Sequence, residues 1–141
     1  MSLPDALANC LVLNTVAAAR TLLRRGDAAF KPFGVTVQQF SLLAAIRFNP
    51  ETPVAVLARR ILLDRTSLTR NLDLLEQKNL VERVADTDTS ARLCRLTQDG
   101  SVLLDQLLDV WQRAQADIRD GFDETEADTY LRLVKHFARG K

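Results

Sequence analysis

The stretch from residue 64 to residue 84, DRTSLTRNLDLLEQKNLVERV, combines a buried helical face with side chains suited to contacting nucleic-acid bases. Leu68, Leu72 and Leu75 recur at the four-and-three spacing of a single helical face. On the other side, short hydroxyls would let the backbone approach base edges, and an arginine can fork onto O6 and N7 of guanine. The candidate base readers are Thr66, Ser67, Thr69 and Arg70.

Further polar residues around this helix are suited to neutralising phosphates. Arginines supply positive charge, and Thr52 precedes a helix whose first backbone N–H groups could face a phosphate. The candidate phosphate contacts are Thr52, Arg59, Arg60 and Arg65. The alternative is that Thr66 and Ser67 only favour a first helical turn and that Arg70 is a solvated helix residue.

The predicted elements around these residues have the order and lengths of a winged helix-turn-helix. Two short helices, at 54–62 and 65–78, are predicted to be joined by a turn, with Asp64 capping the second and Asn79 adopting a left-handed conformation after it. The stretches LVERVA and ARLCRLT then read as two strands around the polar tip DTDTS. A hairpin in this place forms a wing.

Long helices are predicted on both sides of this unit. Capping-box spacing at Ser2 and Asp5 starts one helix of some two dozen residues that continues to Pro32, and Thr36 begins the next. Thr52 is expected to cap the helix that follows, with Pro53 at its first position. A long amphipathic helix follows Thr97, and a last one follows the capping box of Asp123 and Glu126. The predicted fold class is mostly α with a small β-hairpin.

Composition restricts the remaining possibilities. At 141 residues and 47% apolar content, the chain is expected to form one globular domain. Two cysteines and one histidine give no zinc spacing, and no cofactor is expected. No apolar run approaches the roughly 20 residues of a membrane span, so a cytoplasmic protein is expected. Residues 57–97 hold eight Lys/Arg against six Asp/Glu, whereas residues 98–141 hold six against nine, so a polyanion would favour the middle of the chain.

The ordered combination of LARRILLDRTSLTRNLDLLEQKNLVER, RLTQDG and the upstream FGVTVQQFSLLAAI resembles the MarR family of bacterial winged-helix transcription regulators. The resemblance implies a homodimer on a pseudo-palindromic operator in double-stranded DNA, with the helix at 65–78 in the major groove and the hairpin at the minor groove. It implies dimerisation helices at 1–34 and 101–141 and a DNA-binding lobe at 35–98. It also implies a repressor released by a small aromatic ligand or by cysteine oxidation. The predicted dimer-interface residues are Leu7, Leu11, Leu107, Trp111, Tyr130 and Val134.

The wing tip departs from the family pattern. Members usually carry an Asp followed by two arginines, where this chain has Asp88, Thr89 and Ser90. Arg92, on the returning strand, is the candidate replacement at the minor groove.

Cys10 resembles the peroxide-sensing cysteine of one branch of the family. The alternative, which we favour, is a small packed residue, because that sensing site uses tyrosines and the sole Tyr130 is far along the chain. Cys94, in a strand, is expected to be packed.

Three classes of function remain to be compared. The first is a DNA-binding repressor, and the second is a winged-helix protein-interaction module or anti-repressor, which the altered wing tip would favour. An enzyme is poorly supported, since the sequence contains no nucleophile elbow and no phosphate-cradling glycine loop.

Overall fold

The structure, a computed structural model, describes residues 4–84 and 92–139. Within these ranges the chain is mostly helical with one two-stranded antiparallel sheet, as predicted. The elements are α1 (Asp5–Ala8), α2 (Leu11–Phe30), α3 (Val37–Phe48), α4 (Val54–Arg60), α5 (Arg65–Gln77), β1 (Val81–Val84), β2 (Leu93–Leu96), α6 (Gln98–Arg119) and α7 (Glu124–Ala138). None of the described helices has the length and apolarity needed to cross a membrane.

The prediction of one unbroken first helix is wrong. The chain breaks between α1 and α2, where Cys10 is extended (φ −70°, ψ 125°). Two asparagine amides bond to the backbone at this break: Asn9 Nδ2 donates to the carbonyl of Asp5 (3.0 Å), and Asn14 Nδ2 donates to those of Ala8 (2.9 Å) and Cys10 (2.8 Å). Asparagine side chains that bond to nearby backbone offer an alternative to continuous helix. The predicted cap at Ser2 lies outside the described residues.

Three other predicted helix starts are confirmed. Thr36 and Gln39 form a reciprocal capping box, in which Gln39 N donates to Thr36 Oγ1 (3.2 Å) and Thr36 N donates to Gln39 Oε1 (3.1 Å). Asp123 and Glu126 form a second box at α7. Thr97 caps α6 by accepting a bond from the N–H of Gly100 at 3.0 Å.

A leucine-rich core joins α3, α4 and α5 to α6. Its largest fully buried side chains are Leu42, Leu43, Ile46, Leu57, Leu72, Leu75, Leu104 and Leu107. Gly100 fixes the contact between α6 and the segment leading into β1, because a Cβ there would lie 2.0 Å from the carbonyl oxygen of Leu80. Thr97 Oγ1 also donates to the carbonyl of Asn79 at 2.6 Å. The base of the hairpin is therefore held against the start of α6.

Candidate nucleic-acid interface

The exposed face of α5 is presented by a helix that is well fixed at its start. Asp64 is the N-cap, accepting bonds from Ser67 N (2.7 Å) and Ser67 Oγ (3.0 Å). The bond from the Ser67 backbone N–H is the main cause that lowers the pKa of Asp64 below its usual value. The predicted cap is confirmed, but the hydroxyl proton of Ser67 is already donated to Asp64. Ser67 therefore has only acceptor capacity left for a base.

One open groove follows the outer face of α5. It is lined by Arg65, Thr66, Thr69, Arg70, Asp73 and Leu74. On the other side Leu68, Leu72 and Leu75 are buried, as the apolar spacing predicted. The structure therefore brings four of the predicted DNA contacts onto one accessible surface, and it adds a carboxylate, Asp73, to the same surface.

A buried polar pair that the sequence did not reveal locates α5 against α3. Gln39 and Asn71 are each 5% exposed, and Gln39 Nε2 donates to Asn71 Oδ1 at 3.3 Å. Asn71 Nδ2 donates in turn to the carbonyl of Ser67 at 2.9 Å. Buried polar groups are costly unless bonded, so this chain of contacts favours one orientation of α5 about its axis. In the sequence, Asn71 is a polar residue on the apolar face of α5, next to Leu72. That position is the signal that could have indicated a buried polar pair.

Thr52 does not cap α4, contrary to the prediction. Pro53 stands at the cap position, and α4 has no side-chain cap bond. The backbone N–H of Thr52 donates to Asn49 (3.2 Å), and that of Val54 donates to the carbonyl of Arg92 (3.0 Å). Pro53 has no N–H, and the N–H groups of Thr52 and Val54 are already bonded within the chain. None of these three residues therefore has a backbone N–H free to bind a phosphate. The same bond holds Arg92, whose side chain is exposed, beside the start of α4.

Two arginines, Arg59 and Arg60, lie at the other end of α4. Both Arg59 and Arg60 are exposed. Arg60 lines a cavity together with Trp111 of α6. Arg60 is therefore not among the residues that line the α5 groove.

Two arginines of the hairpin form ion pairs. Arg83 Nε donates to Glu76 Oε1 (2.7 Å), and Arg83 Nη2 lies 3.7 Å from Asp73 Oδ1. The hydrogen bond with Glu76 is the main cause that raises the pKa of Arg83. Arg95 Nε donates across the hairpin to Glu82 Oε1 at 2.6 Å. Sequence reasoning missed the Arg83 contacts, although two acidic residues one turn apart on α5 and an arginine in the strand that follows were a usable signal. The wing tip at Asp88, Thr89 and Ser90 lies outside the described residues.

Comparison with known proteins places this arrangement in a family. A model of the MarR family matches residues 33–93. The chain is also 31% identical to the M. tuberculosis transcriptional regulator MosR, in a crystal structure with DNA, with 93% of this chain and 97% of that chain covered and a TM-score of 0.77. The chain belongs to the MarR family.

More distant MarR-type structures share the fold. A mutant of MarR from E. coli in complex with operator DNA is 23% identical, with 96% of this chain and 99% of that chain covered and a TM-score of 0.85. The PcaV regulator from Streptomyces coelicolor, in complex with its natural ligand, is 20% identical, with 99% of both chains covered and a TM-score of 0.81. MarR-family proteins are winged-helix transcription regulators and not enzymes, in agreement with the sequence interpretation.

The six residues predicted to form a dimer interface differ in their solvent exposure. Leu11 is 71% exposed, Tyr130 52%, Leu7 45% and Trp111 40%. Val134 is half-buried. Leu107 is fully buried in the core of its own chain, so its assignment to the interface is wrong: its side chain has no surface to offer a partner. The apolar spacing on α6 did not by itself distinguish a side chain buried within its own chain, such as Leu107, from an exposed one, such as Trp111.

Cys10 and Cys94 have different surroundings. Cys94 is 3% exposed, and burial raises the pKa of its thiol, which confirms the packed role predicted for it. Cys10 lines a groove between the start of α2 and α7 that Tyr130 and Val134 also line. Tyr130 is far from Cys10 along the chain, but the fold returns α7 to the start of α2, so the two residues line one groove.

An open apolar cavity of about 460 Å³ lies between α3, α4 and α6. Its lining includes Phe40, Phe48, Leu57, Ile61, Leu108 and Trp111. The rings of Phe40 and Trp111 lie 6.4 Å apart, centroid to centroid. Cavities of this volume with aromatic walls are suited to small aromatic molecules.

Proposed function

We propose that this MarR-family protein is a homodimeric, sequence-specific DNA-binding repressor. The observation that carries the proposal is the α5 groove, where hydroxyls and arginines lie together on the exposed side of a helix buried along its other side. DNA is present in the crystal structures of MosR and of E. coli MarR to which the chain is similar. The proposed base readers are Thr66, Thr69 and Arg70, and the proposed phosphate contacts are Arg59 and Arg65.

Dimerisation is supported by apolar side chains that a single chain leaves uncovered. They are concentrated at the two ends of the chain, on α1, α2, α7 and the turn before α7. Among those at the two ends, the most exposed are Leu11 (71%), Val12 (68%), Phe122 (58%), Phe137 (53%) and Tyr130 (52%). Apolar surface of this extent marks an interaction site, and two-fold symmetry would place two α5 helices about one DNA turn, ~34 Å, apart. A pseudo-palindromic operator follows from that symmetry.

Two routes of release are supported by different features. The aromatic cavity between the DNA-binding lobe and α6 favours a small aromatic effector, because a ligand there would contact both parts. The position of Cys10 beside Tyr130 favours release by oxidation. Treatment with peroxide distinguishes the two routes. If oxidation releases the DNA, peroxide should lower the DNA affinity of the intact protein and leave that of Cys10→Ser unchanged.

Binding to DNA from upstream of the protein's own gene, measured by fluorescence anisotropy between about 50 and 200 mM salt, tests the main proposal. Arg70→Ala should cost about 1–3 kcal/mol and relax preference at one base pair in each half-site, since a forked arginine–guanine contact is lost. Arg65→Ala is the matched control. If it meets only phosphate, it should weaken all sequences alike and reduce the salt slope by about one.

A single outcome would replace the proposal. If the wild type and Arg70→Ala bind operator and scrambled duplex equally at every salt concentration, α5 does not read sequence. The interaction-module or anti-repressor function, which the wing tip without arginines favours, then becomes the better interpretation.

A further inference from the structure

The α5 groove contains negative charge where a DNA-binding surface would be expected to exclude it. Asp73 lines the groove one turn after Arg70 and is 53% exposed. Glu76 follows one turn later, near the C-terminus of α5, where the helix dipole is also negative. Two carboxylates in this position would repel phosphates, and a free aspartate can also accept a hydrogen bond from N4 of cytosine.

One guanidinium from the hairpin reaches both carboxylates. Arg83 projects from β1, and its Nε bonds to Glu76 at 2.7 Å while its Nη2 lies 3.7 Å from Asp73. Arg83 is 47% exposed and Asp73 is 53% exposed, so their contact lies at the protein surface. At 3.7 Å the contact of Nη2 with Asp73 is an ion pair without a hydrogen bond, and it holds positive charge beside the carboxylate that a base would otherwise use.

We infer that Arg83 is a specificity-determining residue that withholds Asp73 from the DNA bases and neutralises the acidic half of α5. The helix then reads sequence through its N-terminal hydroxyls and Arg70. Arg83 acts by holding the carboxylates of α5 and not by contacting a base. The inference rests on the proposed function, since it assumes that α5 lies in the major groove.

The hairpin provides a matched control. Arg95 makes an ion pair of similar length, 2.6 Å, but with Glu82 on the neighbouring strand and not with α5. Arg95→Ala and Arg83→Ala each remove one positive charge from the same hairpin, but Arg95→Ala removes one ion pair within the hairpin whereas Arg83→Ala removes two ion pairs with α5. A difference between them therefore reports the contact with α5, and thermal unfolding of both variants checks that the fold is retained.

Selection from a randomised-operator library, followed by anisotropy on the selected sites, measures the expected change in specificity. Arg83→Ala should lose about three- to ten-fold affinity for the wild-type operator, since two carboxylates become uncompensated near phosphates. It should also gain a preference for cytosine at one position in each half-site, where Asp73 is released to accept from N4. Arg95→Ala should keep the wild-type base preference. A role that is only structural would lower affinity without changing which base is preferred.

A combined variant distinguishes two roles of Arg83, which are neutralising the carboxylates of α5 and contacting the DNA directly. Adding Asp73→Ala and Glu76→Ala to Arg83→Ala should restore wild-type base preference and most of the affinity, because the charges that Arg83 compensated are gone and alanine, unlike asparagine, adds no group that pairs with a base. If affinity is not restored, Arg83 itself binds phosphate and the inference is wrong. Identical base preferences for Arg83→Ala and Arg95→Ala would overturn it as well. Failure of the wild type to prefer any sequence would instead overturn the proposed function, and this inference with it.

Discussion

Leu62 has a backbone conformation that leucine rarely adopts. Its φ is +57°, in the left-handed region, at the turn between α4 and α5. A side chain with a Cβ costs about 1–2 kcal/mol there, and Leu62 recovers little by burial because it is 73% exposed. Asn79, at φ +58° after α5, has the same conformation, but asparagine tolerates it better. The two turns that bound α5 therefore differ in strain.

Replacing Leu62 with glycine should stabilise the protein by about 1 kcal/mol, since relief of the left-handed strain exceeds the added entropy of the unfolded chain. Urea unfolding measures this as a higher midpoint with an unchanged slope. Asn79→Gly is the control and should gain less than half as much. A loss of stability in Leu62→Gly would show that the exposed leucine side chain packs against a partner.

At the scale of elements, local signals predicted most of the DNA-binding lobe. The cap at Asp64, the box of Thr36 with Gln39 and the turn at Asn79 depend on residues within four positions of each other, and all three are confirmed. The break before α2 was missed, because asparagine side chains there outcompete an otherwise helical pattern. The link from Arg83 to α5 was missed because it depends on how the hairpin folds back over the helix.

Arg47 provides another long-range link, between α3 and α6. Its Nη1 lies 2.6 Å from Asp105 Oδ1, and its Nη2 donates to the carbonyl (2.8 Å) and hydroxyl (2.6 Å) of Ser101. The side chain of Arg47 is 22% exposed, whereas that of Asp105 is 68% exposed. The less exposed bonds to Ser101 are therefore expected to stabilise the packing of α3 on α6 more than the ion pair does.

Arg47→Met should lower the free energy of unfolding by about 1–2 kcal/mol, because it keeps the apolar stem but removes the charged donor. Asp105→Asn removes only the exposed ion pair and should cost less than about 0.5 kcal/mol. Chemical denaturation of both variants measures the difference. Equal losses would show that the ion pair, and not the bonds to Ser101, holds the two helices together.

At the scale of the whole molecule, the two ends of the chain differ from its middle. The DNA-binding lobe and the first half of α6 share one buried core. By contrast, α7 has no buried residue, and the described part of α1 has none either. An isolated helix of 15 residues such as α7 is marginal in water, so something must cover its apolar side chains. A second copy of the chain is the proposed cover.

Leu11→Glu tests directly whether a second copy of the chain packs against these exposed apolar side chains. Leu11 is 71% exposed in the single chain, so the substitution should leave the core intact. In a two-fold interface the charge is buried twice, and the dimer dissociation constant should rise at least about 100-fold. Because α7 would lose its cover, the monomer should also show reduced helical circular dichroism. Sedimentation equilibrium and circular dichroism over one concentration series measure both effects.

Leu107→Glu, which places a charge in the core of the chain itself, should instead unfold the whole lobe. A wild type that sediments as a monomer at micromolar concentration with full helicity would contradict the homodimer, and with it the reading of two half-sites by paired α5 helices.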